Sequence, residues 1–396
     1  MAIKMIYSIP YLFFFILEFI FVNNISNSNS VLKKYNLFIN YLVFIIFSII
    51  FFGLRGFINT DTIGYYPFFE RSPTLFSTTN ELIFFLSKGD YARWGKGFLL
   101  YTIIIKSITS NYMLWQLITF IIQFVLIFNF LKTYLSEYKW WGLLFFYIFG
   151  FFTIMLNLYR NCFSIIAFLY SIKFIVNRKL FRFLVLIFIG STFHTTAYLF
   201  LPFYFFHRRF SNKSILILFC LGNMIYLLQI SWIHNIARAI SSINTNWYIL
   251  FEFYSKSEVF SAAYGITIGY IERFITFVLV YIFSSKLIKK DRKNIIFINF
   301  TYIYLFIYLF MSEMNILVSR VPLLFIFTYW IIYPQIYGLL QKRDRATFLF
   351  FIFLYGFLKV AFSTNSVMFS YNSILDGMSY EKYLHIYNLY QKSLLF

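Results

Sequence analysis

Six side chains stand out as able to do chemistry in an otherwise apolar chain: Arg55, Asp61, Arg160, His194, Glu272 and Arg320. All but Asp61, which lies in a polar loop, stand inside or at the end of an apolar stretch. An ionisable group there costs at least roughly 3 kcal/mol and persists when it is paired or binds something. Guanidinium is permanently charged and grips phosphate with two parallel donors, so several arginines without a matching acidic cluster suit a polyanion. In a cavity open to the outer leaflet of a membrane, the natural polyanion is the diphosphate of a lipid-linked sugar. Arg55, Arg160 and Arg320 are the candidate diphosphate-binding residues. Arg160 and Arg320, helped by Arg55, would stabilise charge on a diphosphate leaving an anomeric carbon, without a metal. The two arginines are expected to converge on one outward cavity. The attacking hydroxyl needs a base or an orienting acceptor, for which Asp61, Glu272 and His194 are all candidates. His194 could equally donate to phosphate.

Each residue also has a plainer reading. Arg55 opens Arg-Gly-Phe-Ile-Asn-Thr-Asp-Thr and is readable as an interfacial cation paired with Asp61. Arg160 starts a helix in which Ser164, Ala167 and Ser171 follow at four, seven and eleven residues, a narrow small-residue face suited to close helix packing. That face turns Arg160 toward the bundle; a structural ion pair is the alternative. Glu272 and Arg273 could neutralise one another. Glu18 and Lys359 sit near the ends of apolar runs and read as structural, while His207, His234 and His385 rank below His194.

The missing motifs narrow the chemistry further. There is no phosphate-binding Gly-rich Lys-Ser/Thr loop, no His-Glu-x-x-His and no Cys/His metal spacing, so neither a metal nor another cofactor is expected. No Asp-x-Asp pair supports a cytoplasmic nucleotide-sugar enzyme. Cys162 and Cys220 lie in apolar stretches and make no disulfide framework. The net charge of +20 is spread through short loops, as topology and anionic lipid require, so nucleic acid is not an expected partner. Aromatic loop residues such as Tyr65, Tyr66, Trp94, Trp247 and Tyr248 could stack on sugar rings or simply form an interfacial belt.

The elements that must position these residues are membrane helices. Apolar runs recur at Ile6–Val22, Leu37–Leu54, Leu114–Phe130, Ile215–Ile230, Ile266–Phe283, Ile295–Met311 and Thr347–Phe362. A bilayer core needs about 20 helical residues to cross. With 61% hydrophobic residues and a mean hydropathy of +0.74, the 396-residue chain is expected to be all-α, one polytopic membrane domain of 11–13 spanning or half-spanning helices. The loops 33–34, 132–139, 178–182, 207–213, 286–293 and 342–345 are densely basic and belong in the cytoplasm. Outer segments then comprise a loop over 55–96, a loop over 233–263 and a C-terminal tail over 363–396, and most acidic residues fall in them. Gly97–Ile108 is too short to cross and reads as a lateral helix on the outer side.

One stretch breaks the alternation. Only about 25 residues separate Arg182 from His207, yet both flanks are basic. Two half-helices, Phe183–Phe193 and Thr195–Phe206, meeting at His194 would satisfy the charge rule at both ends. That places the His194 turn near the outer face.

The ordered set of polar motifs resembles the EpsG/Wzy-type family of bacterial polysaccharide polymerases. The pieces are Phe-Phe-Gly-Leu-Arg55 with Asp61-Thr and Tyr65/Tyr66, then Leu-Tyr-Arg160-Asn-Cys-Phe-Ser-Ile-Ile-Ala167. After them come Ser191-Thr-Phe-His194-Thr-Thr-Ala with Leu201-Pro202, Ser319-Arg320-Val-Pro, and Tyr371-Asn-Ser-Ile-Leu, together covering roughly residues 40–380. Asn59 stands where that family often has glycine, and Asn161 where glutamine is common. The resemblance implies a membrane-embedded (GT-C-like) glycosyltransferase of the bacterial inner membrane, with its active site facing outward. It would move a growing glycan from one undecaprenyl diphosphate onto the sugar of the next lipid-linked repeat unit. Its implied partners are that lipid-linked oligosaccharide, the bilayer, a chain-length regulator and a flippase.

The rivals are a lipid-linked oligosaccharide flippase or other transporter, an O-antigen ligase, and a structural assembly partner. A flippase needs functional charge along the inner halves of its spans too, whereas these residues cluster at outer ends. A ligase differs only in its acceptor.

Overall fold

The apolar stretches fold as helices, and the computed structural model describes them over residues 5–26, 42–230, 232–233, 235–236, 266–313 and 320–393. The lysine pair 33–34, most of the outer loop 233–263 with His234, and residues 314–319 ahead of Arg320 lie outside the described residues. The chain is an all-α polytopic membrane protein, and among the described residues it has no strand, only an isolated bridge between Arg55 and Ser373. It clusters into two compact units, Met1–Tyr204 with Leu340–Phe396, and Phe205–Leu339.

In the first unit the helices are α1 (Ile9–Ser26), α2 (Leu42–Gly53), α3 (Thr62–Arg71), α4 (Thr79–Ser87) and α5 (Lys96–Ile108). They are followed by α6 (Tyr112–Leu135), α7 (Lys139–Phe146), α8 (Tyr159–Val176) and α9 (Leu180–Phe193). The second unit holds α10 (Asn212–Leu227), α11 (Ile268–Lys290), α12 (Asn294–Phe310) and α13 (Phe327–Leu339). The chain then returns to the first unit with α14 (Lys342–Thr364) and α15 (Tyr380–Ser393). By length and composition Tyr112–Ile154, α8 and α14 can cross a bilayer, and five shorter apolar helices accompany them. The 43-residue stretch is not one rod. It reverses through a short turn at Ser136–Tyr138, where Ser136 has φ 38°, so α6 and α7 pack side by side.

The chain also reverses at His194, as the charge pattern requires. The 14 residues of α9 rise about 21 Å at 1.5 Å each. The 11 residues of the following helix, Thr195–Phe205, are wound as a tight 3₁₀ helix and rise about 22 Å at 2.0 Å each. The tighter winding lets fewer residues match the same length. Phe200 stacks on Phe168 with centroids 3.9 Å apart, and Tyr204 packs on Phe183, so the far ends of the hairpin lie together. Arg178 covers Tyr204 at that end, with its guanidinium 5.8 Å from the ring centroid. The small-residue face of α8 receives α9: a Cβ at Gly190 would stand 3.0 Å from Ala167 Cβ and 3.4 Å from Ser164 O.

Above the reversal sits an aromatic cap. Short helices α3, α4 and α5 share one core with Phe68, Phe98, Trp115 and Tyr159, and α15 adds Tyr383 to it. The expected lateral segment is thus the helix α5, and the C-terminal tail packs on the same cap as the 55–96 loop. Thr78 and Glu81 close α4 with a capping box, and the Lys106 ammonium caps α3 through Phe69 O and Glu70 O, both at 2.6 Å.

Candidate functional site

The site begins with the turn between α2 and α3. The end of α2 widens into a π turn, Ile49–Gly53, and the freed carbonyl of Phe52 accepts from Arg55 Nη1. Arg55 Nη2 donates to the Tyr159 hydroxyl, which donates to Gln116 Oε1 at 3.2 Å; Gln116 Nε2 returns to Arg55 O at 2.7 Å. Arg55 is only 1% exposed. Its guanidinium is therefore a buried clamp that holds Tyr159 against α6, not a group on an open surface. Downstream, Asn59 adopts φ 68°, a left-handed conformation that asparagine and glycine tolerate, which accounts for the asparagine at this position. Its N–H donates to Met368 O at 2.8 Å and its side chain to Leu156 O at 3.3 Å, so the turn is tied on both sides.

Two residues further on, the Asp61 amide donates to Asn157 Oδ1 at 3.0 Å. This brings Asp61 to the N-terminal end of α8, where a carboxylate is favoured by the helix dipole. Arg160 stands in the first turn of the same helix. Its guanidinium lies over the Trp94 ring, 4.0 Å from the centroid, and its charge acts on the nearby Tyr65 phenol. Tyr65 in turn stacks on Tyr159 at 4.7 Å, so Arg55 and Arg160 are linked through one aromatic pair. Arg160 Nε is buried with no hydrogen-bond partner among the described residues. Burial pushes the Tyr65 phenol above its ordinary value, and the Arg160 charge pulls part of that back.

His194 completes the group from the opposite side. It follows the last residue of α9, outside the helix, and Ser164 Oγ donates to its carbonyl at 3.4 Å. The Thr196 amide donates to His194 Nδ1 at 3.2 Å, and the Thr196 hydroxyl donates to Asn161 Oδ1 at 2.7 Å. A backbone N–H is a fixed donor, so Nδ1 carries the lone pair and the neutral ring keeps its proton on Nε2. Burial, and then the Arg160 charge, push the imidazole down to about 4, which keeps it neutral at pH 7. His194 is thereby a neutral N–H donor next to a cation. Asn161 is the residue that anchors this turn to α8.

Glycines set the spacing. A Cβ at Gly95 would come within 2.2 Å of Thr192 O, and one at Gly97 within 2.3 Å of Thr192 Oγ1. Only a chain without side chains at both positions lets the Trp94 loop rest on the end of α9 beside His194.

The remaining candidates belong to the second unit. Glu272 is 7% exposed; Thr276 Oγ1 donates to its Oε1 at 2.9 Å, and its Oε2 lies 3.7 Å from Arg273 Nη1. Arg273 donates to Gly269 O at 2.8 Å and lies over the Tyr308 ring, 3.9 Å from its centroid. Glu272 is thus neutralised by its neighbour and enclosed by tyrosines. Arg320 is exposed at the start of the segment leading to α13. The structure therefore gathers Asp61, Arg160 and His194 in one unit, with Arg55 behind them, while Glu272 and Arg320 belong to the other. Sequence reasoning missed Gly95 and Asn157, and it named Trp94 and Tyr65 only as possible stacking aromatics. Rings are a quarter of the chain, so no composition signal separated those two.

Comparison with protein families matches residues 38–373 to the EpsG family, which spans both the Arg55 turn and the His194 hairpin. The chain belongs to the EpsG family. Membership makes it a membrane protein of the polysaccharide-polymerase type, a glycosyltransferase in the broad sense. No curated protein and no solved structure matches the chain. As an EpsG-family protein it carries its most polar motifs, around Arg55, Arg160 and His194, within the first unit.

Proposed function

We propose that this EpsG-family protein polymerises undecaprenyl-diphosphate-linked repeat units at the outer face of the bacterial inner membrane. The observation that carries the reading is the Arg160 guanidinium held over the Trp94 ring, with the neutral His194 beside it. In the reaction the bond between the donor's anomeric carbon and its diphosphate oxygen breaks, and the electron pair leaves with the diphosphate. The acceptor sugar's hydroxyl oxygen forms the new bond to that carbon. Arg160 neutralises charge on the departing diphosphate and the His194 Nε2–H donates to it. Asp61 takes the proton of the attacking hydroxyl, because His194 Nδ1 is already engaged.

Arg55 is assigned as a positioning residue acting through Tyr159, and Glu272 as a positioning residue of the second unit. Arg320 is assigned to the second unit as a residue whose replacement by lysine should lower turnover. Turnover needs lipid-linked repeats alone, with no metal and no nucleotide sugar; arginine supplies the neutralisation that a metal supplies elsewhere. A flippase would deliver the repeats and a chain-length regulator would set the product.

Deleting the gene and sizing the strain's glycan tests the assignment. Single repeats on lipid at the surface are expected. Loss of all surface repeats would overturn the reading in favour of a flippase, and free polymer in favour of a ligase.

A further inference from the structure

A second site lies on the other face of the Arg55–Asp61 turn. There the turn and the C-terminal tail enclose a cleft of about 320 Å³, at the lower end of the range of small-molecule sites, about 300–1,000 Å³. None of the residues lining the cleft belongs to the Arg160 group. We propose that it holds a sugar ring of the acceptor repeat unit, which rests on the polymerase reading given above.

The lining argues for a sugar by its mixture. Val367, Tyr371 and Met378 supply half-buried apolar surface, and Asp376 and Lys382 supply exposed polar groups. Asn372 frames the cleft: its Nδ2 donates to Phe57 O and Ser370 O, both at 3.2 Å, and its Oδ1 is buried against Gly56. The amide stands there because residue 56 is glycine: a Cβ would come within 1.7 Å of that oxygen. A sugar ring matches such a lining, with hydroxyls that both donate and accept and with apolar C–H faces. Asp376 and Lys382 carry opposite charges, so the cleft lacks the cationic excess a diphosphate requires. A lipid tail would cover the exposed Asp376 carboxylate and Lys382 ammonium with hydrocarbon.

The walls are held in place before any ligand arrives. Tyr371 donates to Phe51 O at 3.0 Å and stacks on the Phe51 ring at 4.4 Å, and Phe57 stacks on Tyr112 at 5.7 Å. Tyr383 donates to Asn59 O at 2.6 Å, two residues before Asp61. A sugar bound in the cleft therefore rests against the same turn that carries the proposed base. The location suits an acceptor, whose hydroxyl must meet Asp61, and leaves the Arg160 side to the donor diphosphate.

The test uses full-length protein in nanodiscs and two probes released from the strain's own polysaccharide: a single repeat oligosaccharide and a fragment of several repeats. Binding is read by saturation-transfer NMR. The single repeat should bind, and Lys382→Ala and Ser370→Trp, the latter filling the cleft, should each weaken it at least tenfold with an unchanged melting temperature. Arg160→Lys should bind the single repeat as the wild type does while losing turnover. Undiminished binding in both cleft variants would overturn the inference and leave the polymerase reading standing. Binding of the long fragment alone would overturn the acceptor assignment. A wild type that binds the single repeat in the cleft yet makes no polymer would instead remove the polymerase reading.

Discussion

The Arg160 guanidinium carbon lies over the Trp94 ring, 4.0 Å from its centroid, although 66 residues separate the two in the chain. A cation over indole gains about 0.5–2 kcal/mol, more where water is scarce, and the ring fixes the plane in which the guanidinium presents its donors. The pairing holds a permanent positive charge at the N-terminal end of α8, where the helix dipole disfavours it. An anionic ligand would relieve that conflict.

Arg160→Lys keeps the charge but loses the planar fork and its stacking on Trp94. Polymerisation by purified protein should fall about 10²-fold or more, the usual cost of removing one charge-stabilising donor. Trp94→Ala should lower turnover as well, by misplacing Arg160 instead of removing it. A fully active lysine variant would reduce Arg160 to a structural role.

Gly95→Ala tests whether the close approach of the Trp94 loop to α9 is required. The added methyl would overlap the Thr192 carbonyl, and relief demands a backbone shift. A loss of about 1–3 kcal/mol is expected, read as a lower melting temperature in detergent together with reduced activity. An unchanged melting temperature and full activity would show that the contact is dispensable.

The sequence disclosed some of this arrangement and concealed the rest for definable reasons. Arg160 and His194 were visible because an ionisable group in an apolar run is costly, and the reversal at His194 because both flanks are basic. The small-residue face of Ser164, Ala167 and Ser171 was visible as a spacing. The pairing of Arg160 with Trp94 was not, since one ring among a hundred carries no periodic signal. Nor was the burial of Arg55: an arginine at a span end looks alike whether it faces water or a tyrosine hydroxyl 104 residues away. The 3₁₀ winding of Thr195–Phe205 was also hidden, because its apolar run has no helical face to distinguish 3.0 from 3.6 residues per turn.

Acid should weaken the fold through His194. Its imidazole sits near 4 in the folded protein and about 6.5 when unfolded. Between these values the unfolded chain binds more protons, so stability falls as pH drops from about 6.5 to about 4 and is flat below that. His194→Gln removes the titration, and its melting temperature should change less than that of the wild type between pH 7 and pH 4. Equal pH dependence in both proteins would place the imidazole in water.

The hairpin itself is testable by labelling. Arg182→Cys and Arg208→Cys should both react with an impermeant reagent from the cytoplasmic side and Thr195→Cys from the outside, all three at exposed positions, in a background without Cys162 and Cys220. Either arginine position labelled from the outside would remove the reversal at His194.

The most direct measurement is polymerisation by the purified protein from lipid-diphosphate-linked repeat units alone, in excess chelator and without nucleotide sugar. A ladder of products spaced by one repeat unit is expected, its yield falling about 10²-fold or more with Arg160→Lys. Polymerisation that stops with chelator and returns with Mg²⁺ or Mn²⁺ would contradict arginine as the group that neutralises the leaving diphosphate.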